Sequence, residues 1–156
     1  RASQVQFASA ADPELLSAGR TGETRLLVDA EQKLSSGDVA TAQKLAQKAL
    51  DEKLEDRGRA LFILAEAATA SRDIQNATRY FQQALEAASE PKVVAWSHIY
   101  LGRIFDLQEN RDAAVEQYRA ALTAGAALPE AKAAAERGLA APYEPPGGAR
   151  KQDEDQ

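Results

Sequence analysis

Few groups in this 156-residue chain could do acid–base, nucleophilic or metal chemistry. There is a single histidine, His98, and no cysteine, which removes thiolate metal sites, Cys nucleophiles and disulfides. A lone His without a second His or Cys reads as a helix-surface or interface residue, not a metal ligand. Glu31 and Glu66 are 35 residues apart and can face one another from neighbouring helices. Such a pair serves acid and base chemistry only when burial separates the two pKa values; a solvated helix face is the commoner setting for carboxylates. Pro146-Gly147-Gly148-Ala149-Arg150 lacks the preceding strand of a phosphate-binding loop. Asn76-Ala77-Thr78 fits a glycosylation acceptor but surrounds an alanine expected in a packed helix. These residues point away from catalysis, so the expectation is a non-enzyme with no cofactor and no metal.

The formal charge of −5 is spread along the chain, without the concentrated basic surface a phosphate backbone requires, so nucleic acid is not an expected partner. No apolar run approaches the roughly 20 residues that span a bilayer, and no membrane insertion is expected. The chain starts Arg1-Ala2-Ser3-Gln4 and contains no Met, as a mature exported protein or an excised domain would. The expectation is a bacterial protein, periplasmic or secreted ahead of cytoplasmic.

Positioning falls to helices. Ala, Leu, Glu, Gln, Lys and Arg are abundant while Gly and Pro are sparse, which favours helix on intrinsic propensity. A repeat is visible: Gly37-Asp38-Val39-Ala40-Thr41-Ala42, Arg72-Asp73-Ile74-Gln75-Asn76-Ala77 and Asn110-Arg111-Asp112-Ala113-Ala114 align, with Ala42, Ala77 and Ala114 spaced by 35 and then 37 residues. Apolar or small residues then recur at helical spacing, as in Ala77, Phe81, Ala84 and Leu85. Helical stretches at Glu23 to Ser35, Gly58 to Ala70 and Val93 to Gln108 precede these segments, with an Asp or Asn at each break to start the next helix. The unit is helix, tight turn, helix.

This pattern resembles the tetratricopeptide repeat family, whose unit runs to about 34 residues. The third repeat carries Leu101, Gly102, Phe105, Ala114, Tyr118 and Ala121 at the family's positions, and the second carries Leu61, Leu64, Ala65, Ala77, Phe81 and Ala84. The first keeps Leu26, Ala30, Ala42 and Ala49 but departs from the pattern at Asp29 and Ala46. The small residues Ala30, Ala65 and Gly102 would let paired helices close, and the aromatics would fill the space between one pair and the next. The resemblance implies an all-α, right-handed α-solenoid of three hairpins, over residues 23–56, 58–91 and 95–128, plus a C-terminal capping helix at 129–141. Outside it, residues 1–11 read as a flexible segment, 12–22 as a short helix and linker, and 142–156 as a disordered tail.

In this family the first helices line a concave groove. Carried onto this chain, that implies partner contacts at Leu27, Glu31, Phe62, Glu66, Trp96, Ile99, Tyr100, Arg103 and Asp106. The apolar members would anchor side chains and the charged ones would set register. The corresponding positions lack the cations that clamp C-terminal carboxylates in one subclass, so a segment of mixed charge suits better. The expected function is capture of a peptide or helix of a protein partner. The alternative is a structural or self-associating repeat region of a larger protein, its groove filled by the chain itself, for instance by Phe7 to Leu16.

Overall fold

The computed structural model describes residues 18–53, 56–88 and 90–146. The expected helix start at Asp12 and the segment Phe7 to Leu16 lie outside them. The described chain is all-α: α1 Ala18–Ser35, α2 Val39–Asp51, α3 Arg57–Ala70, α4 Ile74–Ala87, α5 Pro91–Leu107, α6 Arg111–Ala124 and α7 Pro129–Ala140. Residues 18–22, within the stretch 12–22 read as a short helix and linker, belong to the start of α1. No helix among the described residues is long and apolar enough to cross a membrane.

The three turns inside the helix pairs share one hydrogen-bond scheme. Gly37, Arg72 and Glu109 all have left-handed φ, at 89°, 60° and 61°. Their N–H groups donate to Leu34, Thr69 and Asp106, and the next residues, Asp38, Asp73 and Asn110, donate to Lys33, Ala68 and Phe105. That pairing closes a helix on a Schellman motif. The same Asp38, Asp73 and Asn110 then open the following helix, their side chains accepting from the N–H of Thr41, Asn76 and Ala113. One residue thus finishes one helix and caps the next, which accounts for the Asp or Asn at each break. Pro91 and Pro129 begin α5 and α7 at positions where the missing N–H costs nothing.

Each helix packs on the next, and α1 also touches α3, α3 touches α5 and α5 touches α7, whereas α2, α4 and α6 do not touch one another. The odd-numbered helices therefore share a continuous layer. The core divides accordingly. Leu27, Ala30, Ala46, Ala49, Ile63 and Leu64 join α1, α2 and α3. Ala65, Ala77, Phe81, Leu101 and Ile104 join α3, α4 and α5. Ala95, Ile99, Ala121, Ala131 and Ala135 join α5, α6 and α7. Every cluster draws on three consecutive helices, so no single pair completes its own core.

Alanine dominates this core because it lets backbones approach closely. Gly102 shows the limit: a Cβ there would come within 2.6 Å of the Tyr118 ring, which fulfils the expectation that a side chain at this position would wedge the pair apart. Gly138 of α7 abuts the same ring. Tyr118 is thus met closely by glycines of two different helices.

Candidate partner-binding face

Four half-buried groups form a contiguous run on α3 and α5. Phe62 meets Phe81 edge-on at 5.7 Å between centroids and Tyr100 at 6.0 Å. Tyr100 stacks on the buried Phe81 at 5.1 Å and lies 6.0 Å from Trp96. The Arg103 guanidinium covers Tyr100 at 5.6 Å and Trp96 at 6.0 Å, distances at which a cation is drawn to an aromatic face. Phe62, Trp96, Tyr100 and Arg103 are each partly open to solvent. The rings rest in part on the core and keep partial solvent access.

Acidic groups stand beside the Phe62 end. The Glu31 carboxylate is held in a two-pronged ion pair by Arg59, at 2.5 Å from Nη2 and 3.1 Å from Nε. This pair ties α1 to α3, and the hydrogen bond to Glu31 raises the Arg59 guanidinium further above its ordinary value. Glu66, one helical turn beyond Phe62, makes no hydrogen bond to the described residues. Burial, followed by the Glu31 charge and partly offset by Lys92, pushes its carboxyl up to about 7. Burial and the Glu66 charge also raise the Tyr100 phenol. The structure therefore brings Glu31 and Glu66 into electrostatic contact, as their spacing suggested, and makes Glu66 a proton-exchanging group near neutral pH.

Three expected groove residues are corrected. Leu27 and Ile99 are fully buried: they anchor the first and last core clusters and present nothing to a partner. The Asp106 side chain is only 1 % exposed. Its carboxylate accepts from Arg111 Nη1 at 3.0 Å to both oxygens, from the Tyr118 hydroxyl at 2.9 Å and from the Tyr143 N–H at 2.8 Å. Burial and this carboxylate push the Tyr118 phenol up. The helical position read as facing a partner is turned inward because Arg111, five residues later, supplies the compensating charge. Glu31, Phe62, Glu66, Trp96, Tyr100 and Arg103 keep solvent access.

The sequence reading missed Tyr143. Within the stretch read as the start of a tail, Tyr143 lies against the fold, its ring 5.0 Å from the Arg103 guanidinium. No periodicity marks that segment; the only available signal was an aromatic residue set among prolines. His98 bridges α5 to α6, its Nδ1 2.8 Å from Gln117 Oε1. No cluster of potential metal ligands occurs among the described residues. In comparisons with known proteins, no family model and no curated protein matches this chain.

Proposed function

We propose that this chain is a tetratricopeptide-type α-solenoid that binds a peptide or helix of another protein on the face of its first helices, without catalysis. The observation that carries this reading is the half-buried run Phe62, Tyr100, Trp96 and Arg103 on helices of the shared layer. Rings held in part by the core lose little further freedom when a partner covers them, which favours them as anchors. Glu31, Glu66 and Arg59 at one end and Arg103 at the other give the face a charge direction that would orient a segment of mixed charge.

The test is affinity capture from the source cell's extract with the wild-type chain and a Phe62→Ala, Trp96→Ala, Arg103→Ala variant shown by circular dichroism to remain helical. A protein retained by wild type and lost by the variant supports the reading. Equal recovery by both moves the function to another surface. A structural role, with the face filled by the chain itself, draws support from Tyr143, which meets Arg103 and Asp106 on α5. It makes a different forecast: no capture by either protein.

A further inference from the structure

We infer that the Arg103–Asp106 end of this face is a receptor for an extended segment carrying a tyrosine beside proline, supplied by a protein partner, and that the chain's own Pro142–Pro146 occupies it in cis until displaced. The inference rests on the reading of the face as a peptide-binding surface.

The seat has two parts. Asp106 is held in place by groups of the helix framework, Arg111 and Tyr118, and its remaining partner is a main-chain N–H, that of Tyr143. Any residue but proline can donate that bond, so it holds a backbone without reading its sequence. The ring supplies selectivity. Arg103 faces Tyr143 at 5.0 Å while also covering Tyr100 and Trp96, so the tyrosine seat continues the aromatic run. A partner segment following that run to Asp106 needs the place Tyr143 holds.

The occupant is guided in but lightly held. Arg111 Nη2 donates to the carbonyls of Gly138 at 2.7 Å and Leu139 at 3.2 Å, fixing the end of α7, and Ala141 leaves the helix in extended conformation, with φ −159° and ψ 153°. Proline on both sides of Tyr143-Glu144 favours an extended backbone. Glu144, Pro145 and Pro146 are exposed, and a cavity of about 210 Å³ lined by Arg103, Tyr118, Arg137 and Gly138 remains beside the ring. A segment whose last three residues are exposed opens easily. Its advantage is the tether, which sets a local concentration in the millimolar range.

The probe is a peptide with blocked ends, Ala-Pro-Tyr-Glu-Pro-Pro-Gly, copied from residues 141–147. It is titrated into the full chain and into a chain ending at Pro142, with the emission of Trp96, the single tryptophan, as readout. The expected result is saturable binding to the shortened chain, at least tenfold weaker binding to the full chain, and loss of binding when the peptide's tyrosine is alanine or when Arg103→Ala is added. No saturable response from a shortened chain that circular dichroism shows to be helical overturns the inference. Should the shortened chain fail to fold, the full chain with Tyr143→Ala keeps the backbone N–H but loses the ring; it must bind the peptide about tenfold more tightly than wild type, and equal affinity overturns the inference. A full-length dimer that grows with concentration and disappears on shortening would place the segment in a second copy and overturn the cis seating. Partner capture without peptide binding defeats this inference alone. Peptide binding without partner capture leaves the seat standing and counts against the broader function.

Discussion

At the scale of single residues, expected position and chemical role come apart. Asp106 was expected at a partner-contact position, yet it is the buried acceptor joining α5, α6 and the segment after α7. Asp106→Ala would strand the Tyr118 hydroxyl and leave Arg111, a third exposed, without its counter-charge. A loss of about 3 kcal/mol and a fall in Tm of roughly 6–12 °C are expected in calorimetry. Glu66 behaves oppositely, because it has a raised pKa and no hydrogen-bond partner among the described residues. Its folded-state carboxyl is pushed up to about 7, against an ordinary value of 4.5, so the folded state holds the proton more tightly than the unfolded chain. Folding is therefore favoured by protonation, and stability declines as pH rises from about 4.5 through about 7. Burial sets this first, then the Glu31 charge, with Lys92 partly offsetting both. Glu66→Gln should match wild type near pH 4.5 and exceed it by on the order of 2 kcal/mol above pH 7, after allowance for solvent at a partly open site. Parallel melting curves of the two proteins across that range check this. A wild-type advantage growing with pH would contradict it.

At the scale of elements, the turns were half legible. Asp38, Asp73 and Asn110 announced helix starts, and the structure shows each also finishing the preceding helix. The left-handed residue just before was legible only at Gly37. Arg72 and Glu109 adopt the same conformation because the Schellman bonds and the cap impose it on whatever residue stands there. Arg72 is exposed, so Arg72→Gly removes backbone strain without losing packing. Relief of the left-handed penalty, set against the greater chain entropy of glycine, should raise stability by about 0.5–1 kcal/mol, measurable by urea denaturation. Gly102 was legible as a closing residue from its place in the repeat. Its counterpart Gly138 was not, because the ring it abuts belongs to Tyr118, twenty residues upstream on another helix.

Across the whole molecule, stability is passed along the chain, since every core cluster needs three successive helices. Removing residues 129–156 would uncover Ala95, Ile99 and Ala121 and take away the Gly138 and Leu139 carbonyls that receive Arg111. A chain so shortened should melt roughly 10 °C or more below wild type and self-associate with concentration, because it exposes the apolar residues that α7 covers. Scanning calorimetry and sedimentation check both effects; an unchanged, monomeric chain would show that α7 is dispensable. Helix content, the turn positions and the repeat spacing were determined by the sequence alone, because propensity, capping and periodicity act between residues near one another in the chain. Which residues of α1, α3 and α5 remain open was decided only by the tertiary structure. Leu27 and Ile99 turn inward, Asp106 is enclosed by Arg111 and Tyr118, and Tyr143 returns from beyond the last helix to cover Arg103. Burial depends on neighbours brought from distant parts of the chain, and local pattern carries no record of them.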